Sequence, residues 1–305
     1  MKKIIIAIIA ISIWNCKSIT PNSSQEEIKD YNTAYNYYQN AQYSSAITAF
    51  SDFISKYASG NNLDGAYYYR GLSWYNTGKV SKSAVDFTNA KSDFEKIITS
   101  EPQSDYIDNS YYYRGSSHMN LEKIAMTPAS LNTTTANAEL LLALSDFNYL
   151  LTHFTTSNFR DNSQFHKGLS YYYIADYANA TIELGKVISG YPASTQLTSA
   201  YYYRGRSYES QGTVNLPATA PASTTSLPIE FSTARADYAF VYKNYPASLS
   251  ADNAMYHHAR TYSDEHDCTN EIPAMNAFIL AYPNSFYVTS AQNHIATPGN
   301  GVCWF

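Results

Sequence analysis

The segment AYYYRG at Ala66–Gly71 returns as SYYYRG at Ser110–Gly115 and as AYYYRG at Ala200–Gly205. Aligning the glycines gives a column of small residues: Ala34, Gly71, Gly115, Gly168, Gly205 and Ala259. A second column follows each of them, with the form A-x3-(Phe/Leu/Tyr)-x2-apolar-x4-Pro. It runs Ala46-Phe50-Phe53-Ala58, Ala90-Phe94-Ile97-Pro102, Ala143-Phe147-Leu150-Thr155, Ala180-Leu184-Val187-Pro192 and Ala234-Tyr238-Val241-Pro246. A degenerate sixth copy reads Glu271-Met275-Phe278-Pro283. From the end of each second-column unit to the next small residue is always 13 residues. From the small residue to the following second-column start is 12 residues in three repeats, and 19, 28 and 29 in the others. One joint is therefore rigid and the other accepts insertions.

Apolar residues at i, i+4 and i+7 of the second column share one helical face, a spacing that a strand cannot use. Tyrosine triplets alone would favour strands, but the phase of the whole ladder overrides them. The expectation is an all-α chain of about six helix pairs and a C-terminal capping helix, each pair burying its apolar face on its neighbours. The repeats fall near 27–58, 64–102, 108–155, 161–192, 198–246 and 252–283, with the cap at 284–297 and a tail at 298–305. Asp64, Asp108, Asp161, Thr198 and Asp252 each sit seven residues before the small column. There they read as capping or first-turn residues of helix A, where free N–H groups favour oxygen ligands.

The chain starts differently. Lys2 and Lys3 precede an apolar run, Ile4–Trp14, too short to span a bilayer, and the run ends in Ile13-Trp14-Asn15-Cys16. This resembles a bacterial lipobox, with Asn15 standing where Gly, Ala or Ser is usual. It implies a signal peptide over 1–15, an acylated Cys16 and a tether over 16–26; the alternative is an ordinary secretory signal. Removal of the leader leaves 18 basic against 25 acidic side chains, a net charge of −7. With no basic cluster, nucleic acid is not an expected partner. Cys268 and Cys303 are the remaining cysteines. In an exported protein they are candidates for a disulfide, or else two free thiols.

The small column, the aromatic three residues after it (Tyr37, Trp74, Tyr171, Tyr208 and Tyr262) and the A…F…P ladder resemble tetratricopeptide (TPR) repeats. His118 breaks the aromatic pattern, and the strict unit is 37 residues rather than 34. The longer joint and the lipoprotein-like start are similar to the envelope subfamily containing the outer-membrane-assembly lipoprotein of the β-barrel machine and the periplasmic cell-division coordinator. The resemblance covers about residues 27–297 and implies a right-handed helical solenoid with a concave partner-binding groove. It places in that groove the column Tyr31, Tyr68, Tyr112, Phe165, Tyr202 and Tyr256, flanked by Tyr35, Leu72, Leu169, Tyr172, Arg206 and Arg260. A peptide with apolar anchors and an acidic end suits such a lining. The basic column Arg70, Arg114, Lys167, Arg204 and His258 is expected to pair with acids of neighbouring helices rather than to bind ligands.

The three enlarged joints, including the inserts at 121–139 and 213–230, lie on one edge, as surface turns that tolerate insertion. The stretch HHARTYSDEHDC, with His257, His258, Asp264, Glu265, His266 and Cys268, has metal-ligating residue types without ligand spacing, so no metal, cofactor or catalytic constellation is expected. The resulting expectation is a non-enzymatic, lipid-anchored scaffold of the bacterial outer membrane, on its periplasmic face, that binds another envelope protein or peptide. A glycan-binding lipoprotein and a surface-exposed adhesin are the alternatives.

Overall fold

A computed structural model of the chain describes residues 24–126, 138–215 and 228–298. Among the described residues there are thirteen α-helices and no strands. They fall into two units, residues 1–107 and 108–305. The first holds α1 (Gln25–Gln39), α2 (Tyr43–Lys56), α3 (Leu63–Ser81) and α4 (Ala84–Ser100). The second holds α5 (Ile107–Ala125), α6 (Ala138–His153), α7 (Arg160–Tyr173), α8 (Tyr177–Gly190), α9 (Leu197–Asn215) and α10 (Ile229–Asn244). It continues with α11 (Ala251–Asp264), α12 (Cys268–Ala281) and a last helix, α13 (Val288–Ala296). Odd-numbered helices up to α11 are the A helices and their successors the B helices, giving six pairs and a cap.

The second column is the core. Phe50, Phe94, Phe147, Leu184, Tyr238 and Phe278 are fully buried, together with the alanines that precede the first five. Each such side chain is worth about 2–3 kcal/mol of burial. The small column lets helix A press on these rings. A Cβ added to Gly115 would stand 2.9 Å from Phe147, and one on Gly205 would stand 2.7 Å from Tyr238.

Two of the rigid 13-residue joints, and the joint to the cap, carry a polar lock. Asp64 accepts from the Gly65 N–H at 2.8 Å and from the Ser104 hydroxyl, in the next B-to-A turn, at 2.7 Å. Asp161 does the same with Asn162 and Ser194 (2.7 Å each), and Asp252 with Asn253 (2.8 Å) and Ser285 (2.9 Å). These first-turn acids therefore tie one repeat to the next. Side-chain N-caps occur instead at α1 (Ser24), α4 (Ser83), α8 (Asp176) and α12 (Asp267).

The variable joint has two forms. The three short joints turn through a left-handed residue, Ala41, Ala175 or His266, as does the α3–α4 joint at Lys82, with φ between 55° and 61°. At the enlarged joints the A helix itself lengthens: α3, α5 and α9 have 19 residues, against 14 or 15 in α1, α7 and α11. The α3–α4 insertion is thereby absorbed almost wholly into helix, while residues 127–137 and 216–227 of the other two lie outside the described residues. So do the signal peptide, Cys16 and Cys303. Cys268, at the start of α12, is disulfide-bonded. Among the described residues no helix is long and apolar enough to cross a membrane.

Candidate partner-binding face of the A helices

The expected groove column lies inside the repeats. Tyr31, Tyr68, Tyr112, Phe165, Tyr202 and Tyr256 are only 5–9% exposed, and Leu72 and Leu169 are buried with them. This corrects their assignment to an open lining. Each tyrosine ring of the column lies beside the second-column ring of its own B helix, as Tyr68 does beside Phe94, Tyr112 beside Phe147 and Tyr256 beside Phe278. Three of them are then covered by an aromatic from the following B-to-A turn: Tyr106 stacks on Tyr68 at 4.4 Å, Phe159 on Tyr112 at 4.6 Å and Tyr287 on Tyr256 at 4.3 Å. Offset aromatic pairs at these distances contribute about 1 kcal/mol beyond area burial. The column is a packing device.

Tyr35, Tyr172, Arg206 and Arg260, by contrast, remain half-buried at the surface of the A helices. In the first unit Tyr35 belongs to a purely aromatic cluster with Tyr38 and Tyr69. In the second unit Tyr172, Arg206 and Arg260 belong to a charged one.

The basic column behaves as expected. Arg70 grips Asp93 through Nε (2.9 Å) and Nη2 (2.6 Å), Arg114 grips Asp146 (2.9 and 2.5 Å), and Arg204 grips Asp237 (2.8 and 2.7 Å). Lys167 reaches Glu183 at 3.3 Å. The three guanidiniums also lie over Tyr67, Tyr111 and Tyr201. Each acid stands three residues after a second-column alanine, so every pair spans helices A and B of one repeat. His258 ends the column uncharged, because burial and the nearby Arg235 push its imidazole down to about 4.

The second cluster centres on Glu209 of α9, which is buried. Its carboxylate accepts from the Tyr238 hydroxyl of α10 at 2.5 Å and from His257 Nδ1 of α11 at 3.3 Å. Arg206 Nε and Arg260 Nε both lie 3.3 Å from it. Burial raises the Glu209 carboxyl, but its hydrogen bond from His257 and the charges of Arg260 and Arg206 outweigh that and hold it low. Arg206 Nη1 donates to the Tyr202 hydroxyl (3.1 Å) and to His257 Nε2 (3.2 Å), which fixes His257 as a neutral imidazole with its proton on Nδ1. Burial, by pushing that imidazole down, agrees. The Arg206 guanidinium also lies over the Tyr172 ring at 6.0 Å.

Arg260 is the outlying member, with 36% of its side chain exposed. Among the described residues its terminal NH2 groups donate to nothing; only Nε faces Glu209 and, at 3.7 Å, Asp264. Glu209 was legible from the repeat register, four residues after Gly205. His257 and Asp264 belonged to the stretch weighed for metal binding, and among the described residues no group of His, Cys, Asp and Glu is placed to hold a metal ion. The arrangement offers an anion two bonding positions on Arg260, at the edge of the Glu209–Arg206 cluster. It contains no nucleophile–base pair.

Residues 12–116, which include Cys16, match the outer membrane lipoprotein family YfiO. Among solved structures the chain is similar to PilW, a widely conserved type IV pilus biogenesis factor, at 13% identity with a TM-score of 0.53, covering 88% of this chain and all of that one. It is also similar to the C-terminal part of a TPR repeat-containing protein from Cytophaga hutchinsonii (15% identity, TM-score 0.42, 86% of this chain and 98% of that one). A third is a tetratricopeptide repeat protein from Parabacteroides merdae (12%, 0.40, 90% and 100%). No curated protein matches it. With its helix pairs and its ladder, the chain is a TPR-like solenoid whose first third is similar to the outer membrane lipoprotein family.

Proposed function

We propose that the chain is a non-enzymatic scaffold, acylated at Cys16 and held on the periplasmic face of the outer membrane, that binds another envelope protein or peptide on the faces of its A helices. The 11-residue stretch from Cys16 to Glu27 is short. A flexible chain of that length averages about 18 Å, so the repeats stay near the bilayer. One acyl chain binds only marginally, and the multiple acylation of lipoproteins makes the anchor stable.

The observation that carries the binding assignment is Arg260, whose terminal donors are open while Arg70, Arg114 and Arg204 each grip one acid through Nε and Nη2. A buried anion hub with an outlying, unfilled guanidinium suits an acidic residue or C-terminal carboxylate of a protein partner. The aromatic face around Tyr35, Tyr38 and Tyr69 suits apolar anchors.

An affinity pull-down from detergent-solubilised envelopes tests this. The wild-type protein is expected to recover a specific envelope protein that Arg260→Ala loses while keeping its helical circular dichroism. Identical recovery by both proteins, or recovery that depends on added glycan, contradicts it. Cys16→Ala is expected to release the protein from carbonate-washed membranes; retention there contradicts the anchor.

A further inference from the structure

Asp264 closes α11 one turn after Arg260, on the same helix face. Its Oδ2 is 3.7 Å from Arg260 Nε, beyond hydrogen-bond length. That oxygen is shut off from solvent and has no hydrogen-bond partner among the described residues. Glu209 and Arg206 face it from α9, and Arg260 faces it from its own helix. The remaining titratable groups of the cluster, Tyr238 on α10 and His257 on α11, are both committed to Glu209. Two carboxylates thus serve two guanidiniums unequally. Glu209 takes every close contact, and Asp264 stands beside the open arginine without being bonded to it.

We propose that Asp264 is a built-in competitor for the anion position on Arg260. When an acidic residue of the partner takes the terminal donors of Arg260, Asp264 gives up its charge by taking a proton from solvent. This rests on the reading of the A-helix face as a site for an acidic partner. No covalent bond changes; one proton moves from water to Asp264 for each partner residue bound.

Two observations give the direction. Asp264 is 15% exposed, so a second carboxylate beside it is poorly screened. Burial and the Glu209 charge already push its carboxyl up to about 7. Above that pH the competitor is ionised, and binding must protonate it. Affinity for an acidic ligand therefore rises as pH falls towards about 7, by at most about tenfold per pH unit for one linked proton. It levels off near pH 6, where glutamate side chains of a ligand, with an ordinary pKa of about 4.3, remain ionised.

The test is fluorescence anisotropy of the full-length lipoprotein in detergent with labelled hexaglutamate, from pH 6 to 8.5 at fixed low ionic strength, with hexaglutamine as the uncharged control. The wild-type protein is expected to bind hexaglutamate at least fivefold more tightly at pH 6 than at pH 8.5. Asp264→Asn is expected to bind at every pH as the wild type does at pH 6. Arg260→Ala is expected to lose at least tenfold throughout. Should Asp264→Asn fail to fold, calorimetry of the wild type in buffers of different ionisation heat reads the same proton uptake directly. Flat pH curves with Arg260→Ala still weakened overturn the competitor alone. Hexaglutamate that ignores the wild type at pH 6, or that binds Arg260→Ala equally, overturns the acidic-partner reading and the competitor with it.

Discussion

Arg114 and Arg260 use the same guanidinium chemistry in opposite ways. Arg114 closes both arms of its fork on a single buried aspartate, Asp146, within one repeat. Arg260 shares Glu209 with Arg206, His257 and Tyr238, and has two arms left over. In the first arrangement one acid takes the paired Nε and Nη2 donors and holds the guanidinium between the helices. The second is saturated at the carboxylate but not at the arginine. A repeat protein that must fold and also bind needs both, and here the difference lies in how many donors compete for each acid.

The largest effect should come from opening a closed pair. Asp146→Ala leaves Arg114 without its counter-charge between helices, which costs about 3 kcal/mol. Replacing both Arg114 and Asp146 by leucine should recover most of that loss. Urea denaturation measures both; equal losses in the single and double variants would show that the pair is not what the repeat depends on.

Next comes the pH dependence of stability. The Asp264 carboxyl is raised to about 7 in the folded state from 3.8, so the folded protein holds a proton there that the unfolded chain releases. Its contribution is complete below about pH 4 and is lost as pH rises through 7. Asp264→Asn should therefore gain stability over the wild type between pH 4 and 8. The gain should be roughly 2 kcal/mol, about half of the ~4 kcal/mol that the full shift would carry, since water reaches part of the side chain. His166 and His258, both held at about 4 chiefly by burial, act in the opposite sense below pH 6.5. They are common to both proteins and cancel in the difference. Equal stability of the two proteins at pH 4 and at pH 8 would show that Asp264 titrates normally.

Arg260→Ala should change stability least, by about 0.5 kcal/mol, because a partly exposed arginine held through one nitrogen contributes little. A loss as large as that of Asp146→Ala would place Arg260 among the structural pairs.

The ladder was legible because its 13-residue spacing and its buried small and aromatic positions recur in every repeat. The pairing of the basic column was legible in kind. Its acids were not, because joints of different length hide the fact that Asp93, Asp146, Glu183 and Asp237 share one place after the second-column alanine. The groove column was misassigned for a physical reason. For Tyr68, Tyr112 and Tyr256, exposure depends on the next turn, where Tyr106, Phe159 and Tyr287 cover them. Tyr106 and Phe159 each lie nine residues before the next small residue, a signal the repeat register contained. Convergence of Glu209, His257 and Asp264 joins residues up to 55 apart, across an insertion of unpredictable path.

The central claim is that partners meet the A-helix face near Arg260 and not the B-helix surface. Photo-crosslinking in intact cells tests it most directly, with a photoreactive phenylalanine placed at Tyr172, under Arg206 of the same cluster, or, as the contrasting site, at the exposed Ile182 of α8. A specific adduct from position 172 that disappears in an Arg260→Ala background, with none from position 182, is the predicted result. Adducts from 182 alone, or adducts at 172 that persist without Arg260, would contradict it.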